Sequence, residues 1–176
     1  MIANRTYFSV LPIIKCKDVH RKSKLRVYKT IIRPVLYYGS ETWTFTQASE
    51  KLVNAFERKV LRRILGPVKE GDRWRIRYNN ELYSIFDDPE ISTLIRLKKL
   101  EWAGHVERMD DDKIPKRLLK RHPEGRRPPG RPRTRWEDSI DADSESLLGL
   151  RNWRTRSLNR DDWRRRLREA RAQLGL

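Results

Sequence analysis

Residues 125–136 are the stretch that most limits what this chain can fold into. They read Gly-Arg-Arg-Pro-Pro-Gly-Arg-Pro-Arg-Thr-Arg-Trp. Each proline lacks a backbone N–H and has a fixed φ angle, so the stretch can be neither the interior of a helix nor a central strand. It contains five arginines and no acidic residue. We therefore predict an extended, solvated and cationic strip between helical segments, suited to binding a polyanion.

The charge of the whole chain favours the same interpretation. The 176 residues include 41 Lys and Arg against 24 Asp and Glu, a formal net charge of +17. Solubility alone needs a net charge of only about 2–8, so this excess implies affinity for nucleic acid or for an anionic membrane surface. We predict nucleic acid, as RNA or DNA backbone, and not a membrane. The single cysteine fits a reducing compartment, and we expect an intracellular protein, nuclear or cytoplasmic.

The apolar content predicts a small core. Hydrophobic residues make up 37 % of the chain, below the ~45–50 % of a typical globular domain. We predict a mainly α fold, with several amphipathic helices in one or two small clusters joined by a Pro/Arg/Gly-rich linker. The predicted regions are an irregular N-terminal segment (residues 1–22), a helical region (23–120), the basic linker (121–135) and a Trp-anchored helical unit (136–176).

Apolar residues at three- and four-residue spacing predict the individual helices. The first begins near Ser23 and ends or kinks before Pro34, with a strand over residues 35–38 as the alternative. The best-defined helix follows Thr46 and stops at Gly66. We predict a loop at residues 69–74, a short helix at 81–86 and a longer one at 89–108. A last helix, capped by Asp161, should bury Trp163, Leu167, Ala170 and Leu174.

The helix after Thr46 carries a second cationic surface. Its apolar stripe leaves Glu57 and four basic residues on the face predicted to be exposed, and these bases complement the C-terminal end of the helix dipole. With the strip they form the predicted nucleic-acid contacts: Arg58, Lys59, Arg62, Arg63, Arg121, Arg126, Arg127, Arg131, Arg133 and Arg135. If the six arginines of residues 121–135 all neutralised phosphates of duplex DNA, the log–log salt slope would be about −5.

The sequence contains no recognisable catalytic constellation. Residues 86–88, Phe-Asp-Asp, differ from the aromatic-x-Asp-Asp box of polymerases because Ile85 stands where the aromatic residue should be. The three aspartates of residues 110–112 are predicted to be a solvated cluster, and His105 a structural histidine. We predict that the chain is not an enzyme and uses no cofactor and no metal.

Residues 130–132, Gly-Arg-Pro, resemble the centre of an AT-hook, an extended peptide that lays arginines into a narrow A·T minor groove. That motif has an arginine immediately before the glycine, where this chain has Pro129. General phosphate contact is therefore the main prediction. A host-recruited, AT-hook-like DNA-binding module is an alternative function.

Several blocks of sequence, in order along nearly the whole chain, point to a family. The first is Lys-Leu-Arg-Val-Tyr-Lys-Thr-Ile-Ile-Arg-Pro-Val-Leu-Tyr-Tyr-Gly-Ser-Glu-Thr-Trp (24–43). The others are Phe-Glu-Arg-Lys-Val-Leu-Arg-Arg-Ile (56–64), Trp-Arg-Ile-Arg (74–77), Asn-Glu-Leu-Tyr (80–83), Leu-Glu-Trp-Ala-Gly-His-Val-Glu-Arg-Met (100–109), Gly-Arg-Pro-Arg-Thr-Arg-Trp (130–136) and the surroundings of Trp153 and Trp163. In this order they resemble the segment just beyond the catalytic palm in non-LTR retrotransposon reverse transcriptases of the RTE/BovB and related lineages.

This resemblance implies a thumb and post-thumb region that grips template and product while the palm does the chemistry. Residues 1–22 would be the remnant of the palm–thumb junction. The endonuclease domain, the fingers and the palm with its paired aspartates would lie upstream of Met1, so we expect a non-catalytic fragment of an RNA-directed DNA polymerase. As an alternative, the chain is part of an active polymerase completed by an upstream palm domain, which would then be its partner.

Overall fold

The computed structural model describes residues 2–120 and 134–175, and it confirms the prediction of a mainly α fold. The helices are α1 (Ile2–Lys15), α2 (Arg21–Val27), α3 (Arg33–Tyr37), α4 (Gln47–Leu65), α5 (Asn79–Phe86), α6 (Ile91–Glu107), α7 (Ile114–Lys120), α8 (Trp136–Leu148), α9 (Trp153–Leu158) and α10 (Arg160–Gln173). A π turn (Tyr28–Ile32) joins α2 to α3, and a 3-10 turn follows at Ser40–Thr42. A hairpin of β1 (Val68–Glu70) and β2 (Arg73–Arg75) lies between α4 and α5.

The described residues divide into two compact units, each with its own hydrophobic cluster. The first unit comprises residues 2–39, Gln47–Leu94 and Gly175. The second comprises Ser40–Thr46 and the described part of Ile95–Leu174. The predicted basic linker falls almost entirely outside the described residues.

The core of the first unit is built from α1, the π turn, α4 and α5. Its fully buried apolar residues are Tyr7, Val10, Ile14, Tyr28, Ile32, Val60, Leu61, Ile64, Leu65, Leu82 and Phe86. The ring of Tyr28 packs edge-on against that of Phe86, with 5.7 Å between the centroids. Helix α4 supplies the largest share of this core and ends, as predicted, at Gly66, which takes the left-handed conformation with φ of 72°.

The expectation of an irregular N-terminal segment is wrong, because residues 2–15 form the regular helix α1. Its buried positions are Ala3, Tyr7, Val10 and Ile14, the four-, three- and four-residue steps of one helical stripe. Large apolar residues also occupy the exposed face of α1, among them Ile2 and Phe8. These exposed residues hid the helical period from the sequence analysis.

Pro34 does not end the helical path, which continues through α3 to Tyr37. The backbone N–H of Arg33 donates to the carbonyl of Tyr28, five residues earlier, in the π turn that immediately precedes Pro34. A proline ring clashes with the carbonyl four residues before it, and a wider π turn at that point gives the chain another way to remain helical. The alternative of a strand over residues 35–38 is not observed, since Arg33–Tyr37 is helical.

The prediction of a loop at residues 69–74 is also wrong. Val68 pairs with Arg75, Lys69 with Trp74, and Glu70 with Arg73 in an antiparallel ladder. The strands are joined by Gly71 and Asp72, and Gly71 has φ of 60°. A positive φ at the first position of a two-residue turn is typical of a type II′ hairpin, in which glycine is favoured.

The second unit is organised around tryptophans on its helices. Its fully buried apolar residues are Leu97, Leu100, Ala103, Ile140, Trp153, Trp163, Leu167 and Ala170. The predicted inner face of the last helix is thus confirmed at Trp163, Leu167 and Ala170, and Leu174 packs against it half-buried. The helix cap is Asn159, whose side chain accepts from two backbone N–H groups of the first turn, and not Asp161 as predicted.

Close packing in this unit depends on one glycine of α6. A Cβ atom at Gly104 would lie 2.2 Å from Nε1 of Trp163, so the indole rests directly on the helix backbone. Any larger side chain at position 104 would have to displace the tryptophan. The spacing pattern of α6 gave no indication of this contact, because a helix pattern shows which residues are apolar and not which partners they meet.

Candidate nucleic-acid interface

The C-terminal half of α4 carries the four basic residues predicted to contact nucleic acid. Lys59 and Arg63 are exposed, and Arg58 and Arg62 are half-buried. Residues three and four apart on a helix are neighbours on its surface, so Lys59, Arg62 and Arg63 form one group. Helix α4 is held in place by the apolar residues of its opposite face, which fixes where this group points.

An open cavity of about 650 Å³ lies at this end of α4. Three of the predicted residues line it together with one arginine from the segment after β2 and four largely apolar neighbours: Lys59, Arg62, Arg63, Arg77, Tyr7, Gly66, Pro67 and Ile76. Arg58 is not among the lining residues. Its charge instead acts on Tyr83, whose pKa it lowers slightly against the dominant effect of burial.

Two of the four cations around the cavity, Arg62 and Arg77, are positioned by hydrogen bonds to neutral groups. Nε of Arg62 donates to the carbonyl of Arg77 over 3.3 Å, and its Nη2 donates to Oδ1 of Asn79 over 2.7 Å. Nε of Arg77 donates to the carbonyl of Gly66 over 3.1 Å. Among the described residues, no carboxylate lies within ion-pair distance of any of the four. Their positive charge therefore remains available to an anionic ligand.

The acidic residues nearby are engaged by a different arginine. Arg75 forms ion pairs with Glu70 over 2.6 Å and with Glu81 over 2.7 Å. Hydrogen bonds from Arg75 and from the backbone N–H of Tyr78 lower the pKa of Glu81 to about 2. Glu81 thereby joins the hairpin to the start of α5. These acids stabilise the scaffold and leave the cations of α4 uncompensated.

Two aromatic rings lie beside Lys59, one member of this cationic group. Phe8 is 59 % exposed, whereas Tyr7 is buried. Nζ of Lys59 lies 5.5 Å from the ring centroid of Tyr7 and 5.8 Å from that of Phe8. Rings interleaved with cations are the lining that single-stranded nucleic acid uses, because bases stack on the rings while phosphates meet the charges.

Sequence reasoning missed the contribution of the hairpin to this site. Arg77, Ile76 and Trp74 were placed in or after a loop, and only the block Trp-Arg-Ile-Arg was noted as part of a resemblance. The turn residues Gly71-Asp72 between two short runs were the available signal for a hairpin. That signal would have placed residues 73–77 next to the end of α4.

The arginine strip contributes less to the described structure. Arg121, Arg126, Arg127, Arg131 and Arg133 lie outside the described residues. Arg135 is exposed at the start of α8, in the second unit, where its backbone N–H donates to Oδ2 of Asp138 over 2.9 Å. The prediction that these arginines bind nucleic acid stays a prediction.

Glu57 was placed on the exposed face of α4 and is instead completely buried. Its carboxylate accepts hydrogen bonds from the hydroxyl of Tyr28 (2.6 Å), the hydroxyl of Tyr83 (3.0 Å) and the backbone N–H of Ile91 (2.8 Å). Nε of Arg33 lies 3.8 Å away. Burial raises the pKa of Glu57 in spite of these donors. This residue ties α4 to the π turn, to α5 and to the start of α6.

The acidic pairs considered for metal binding have structural roles where they are described. Asp88 is paired with Arg33 over 2.7 Å and with Lys29 over 2.9 Å. Asp87 takes the left-handed conformation that ends α5. Within residues 2–120 and 134–175, no group of three or more His, Cys, Asp and Glu side chains could hold a metal ion.

Comparison with known proteins gives one informative relative. A Caenorhabditis elegans protein described as transposon-derived and uncharacterised is 28 % identical over 151 residues, which cover 81 % of this chain and 53 % of that protein. The chain thus spans about half the length of that relative. No family model and no solved structure matches the chain. The chain is similar to a transposon-derived protein, which agrees with the expected origin in a transposable element.

In the described ranges, no helix has the length and apolar content needed to cross a membrane.

Proposed function

We propose that this chain is a non-catalytic, nucleic-acid-binding part of a non-LTR retrotransposon reverse transcriptase, corresponding to its thumb and post-thumb region. The observation that carries the proposal is the group formed by Lys59, Arg62, Arg63 and Arg77, which surrounds a cavity and has no carboxylate partner in the described structure. The similarity to a transposon-derived protein supports the same origin.

In this proposal the cationic group binds the nucleic-acid backbone by electrostatic attraction. The four cations have no carboxylate within ion-pair distance in the described structure, so they can meet phosphates, and each phosphate contact releases condensed counterions. For four contacts the log–log salt slope would be about −3 on a single strand and about −4 on a duplex. The exposed ring of Phe8, beside Lys59, adds stacking that does not depend on sequence. Such a surface holds a template or product while another domain supplies the chemistry.

The test is a salt titration of binding to labelled RNA, single-stranded DNA and duplex DNA, followed by fluorescence anisotropy. The variant K59Q/R63Q removes two exposed cations of the site. Its matched control, K22Q/K51Q, removes two exposed lysines that do not line the cavity. Lys51 lies on α4 itself, about 18 Å along the helix axis from Arg63.

We expect K59Q/R63Q to make the salt slope shallower by about 1.4–1.8 and to weaken binding about 30-fold at ~0.1 M salt. The control should change both quantities much less. Equal effects of the two variants, or no binding at low salt, would refute the proposal. A preference for A·T-rich duplex that is lost in R131A would instead favour the AT-hook-like module.

Primer extension on an RNA template tests the non-catalytic part of the proposal. We expect no extension by the chain alone, because the palm aspartates that would bind the metal ions are not recognisable in its sequence. Extension by the purified chain would overturn this part and leave the binding proposal standing.

A further inference from the structure

A second cavity, of about 300 Å³, lies within the second unit and is not part of the predicted interface. It is bordered by α6, by the start of α10 and by Glu41 of the 3-10 turn. Its lining combines aromatic rings with arginines: Trp102, His105, Trp163, Arg108, Arg160 and Arg164. A cavity of this size is at the small end of the range for sites that enclose a small organic molecule.

The three arginines of this cavity face one another without acidic partners. Arg108 is half-buried, and its Nη1 donates to the carbonyl of Ser157. Burial and, to a smaller extent, the positive charges of Arg160 and Arg164 lower the pKa of Arg108. In the part of the chain that the structure describes, no carboxylate lies within ion-pair distance of these three arginines.

Two acids, Glu41 and Glu101, also line the cavity, and each is paired with another cation. Glu41 is paired with Lys98 over 3.0 Å, and Glu101 with Arg171 over 2.8 Å. Asp162, on the first turn of α10, holds Arg166 over 3.0 Å and also Arg165. Neither the Glu41 nor the Glu101 carboxylate is within ion-pair distance of the three arginines, and a bound anion such as a phosphate would relieve their mutual repulsion.

The aromatic side of the cavity is built from α6 and α10. The rings of Trp102 and His105 lie 5.3 Å apart at 44°, on adjacent turns of α6. Trp102 is half-buried and His105 exposed. Trp163 is only 1 % exposed, and its buried Nε1–H has no hydrogen-bond partner among the described residues.

We propose that this cavity binds one nucleotide of a single strand, with the base against Trp102 and His105 and its phosphate on Arg108, Arg160 and Arg164. A nucleotide has a base that can stack on the rings and a phosphate that can bind the arginines, whereas a simple anion would contact only the arginines. A base in a duplex is stacked inside the helix and cannot enter, so the site selects unpaired nucleotides. The proposal rests on the proposed nucleic-acid function and assigns it a second, separate site.

The test uses the full chain and three labelled 12-nucleotide probes: a single strand, the same strand with abasic sites, and a duplex. The arginine variant is R160Q/R164Q, and its matched control is R156Q/R168Q, which removes two exposed arginines that do not line the cavity. The ring variants are W102L, which removes the aromatic surface, and W102F, which keeps a ring. Circular dichroism checks that each variant is folded.

We expect W102L to weaken single-strand binding about 5- to 150-fold, the range for one lost base stack, and to leave abasic binding unchanged. W102F should retain most of the affinity. R160Q/R164Q should weaken binding of both single-stranded probes more than R156Q/R168Q does, with little effect on the duplex. Because Arg160 and Arg164 are exposed, this pair decides the proposal even if W102L fails to fold.

The possible failures are distinguishable. If the chain binds nucleic acid but R160Q/R164Q behaves like its control, the cavity proposal is wrong and the interface on α4 stands. If the intact and abasic strands bind equally in every variant, the cavity is an anion site without base recognition, which also overturns the proposal. If no probe binds at low salt, both proposals are wrong.

Discussion

The two units can be compared through one completely buried charged residue in each, Glu57 and Lys99. The first unit encloses the carboxylate of Glu57, which accepts from two tyrosine hydroxyls and a backbone N–H. The second encloses the ammonium group of Lys99, which donates to Oγ of Ser139 over 2.7 Å and lies 3.4 Å from Asp143 and 5.8 Å from the ring centroid of Phe45. Both residues are completely buried.

The comparison shows that burial alone does not decide what a charge contributes. Glu57 connects four segments of its unit, and each of its donors would lose an acceptor if the carboxylate were removed. Lys99 has partners that are also bonded elsewhere, since Ser139 donates to the carbonyl of Trp136 and Asp143 lies 3.5 Å from Arg96. A buried charge is costly to remove when its partners depend on it, and much less so when they do not.

The largest effect on the free energy of unfolding should come from Glu57→Gln. The amide keeps the size of the side chain, but its NH₂ group would face hydroxyl or N–H donors, and Arg33 would lose a nearby negative charge. We expect a loss of about 3–5 kcal/mol in the free energy of unfolding, the range for breaking a buried charged network. Chemical denaturation measures it, and hydrogen exchange should show the loss in α4 and α5. A loss below about 1 kcal/mol would contradict the central role of Glu57.

The next largest effect should come from Gly104→Ala in the second unit. Alanine is the better helix former by about 1 kcal/mol, so intrinsic propensity alone would make the variant more stable. The new methyl group would overlap the indole of Trp163, and overpacking of this kind costs about 1–3 kcal/mol. We expect a net loss of stability and a changed near-ultraviolet dichroism signal. A more stable variant would show that Trp163 can move freely.

A smaller change in stability, opposite in sign in the two units, is expected as the pH rises into the alkaline range. Burial and the charge of Glu57 raise the pKa of Tyr28 well above 10. The stability that the neutral Tyr28 hydroxyl contributes is therefore present below pH 10 and is lost as the pH rises through the folded-state pKa. Burial lowers the pKa of Lys99 below 10.5. The stability that the neutral Lys99 side chain contributes is therefore present above pH 10.5 and is lost as the pH falls through the folded-state pKa.

Raising the pH from about 9 to about 11 should therefore reduce exchange protection in α4 relative to α8. Hydrogen exchange resolved to peptides measures both helices in one sample, with rates corrected for the intrinsic pH dependence. The control is Lys99→Met, which should remove the pH dependence assigned to the second unit. A parallel change in both helices, unaltered by Lys99→Met, would contradict the assignment.

The smallest effect should come from Lys99→Met itself at neutral pH. Methionine has a similar length and needs no partner, while Ser139 and Asp143 keep their other contacts. We expect a change within about 1 kcal/mol in either direction, since replacing a buried ion by an apolar residue is often neutral. Thermal unfolding is a sufficient measurement. A loss as large as that of Glu57→Gln would remove the contrast between the units.

The predictable part of the structure was the part in which local pattern and packing agree. Helix α4 has a clear apolar stripe, a start after Thr46 and a glycine stop, and its cations at 59, 62 and 63 do lie together. The inner face of α10 was predicted for the same reason. These features depend on residues within one helix.

The rest required long-range contacts that spacing does not encode. The apolar spacing of α4 predicts that Glu57 is exposed. Its burial depends on hydrogen bonds from Tyr28, Tyr83 and Ile91, which are all distant in sequence. Arg77 joins the site because the hairpin returns the chain to the end of α4. The cavity of the second unit combines residues 102–108 with residues 160–164, which no local motif connects.

The π turn before Pro34 also makes the first unit sensitive to the length of the chain. Each residue in an α-helix turns the chain by about 100°, and the π turn already holds one residue more than an α turn. Inserting a further residue in Tyr28–Ile32 would therefore rotate everything before the insertion relative to everything after it. Arg33 is 5 % exposed and donates to Asp88 over 2.7 Å and to the carbonyl of Pro89 over 2.6 Å. Either Arg33 would leave these acceptors or Tyr28 would leave Glu57. Natural relatives should therefore accept substitutions in this segment far more readily than single-residue insertions.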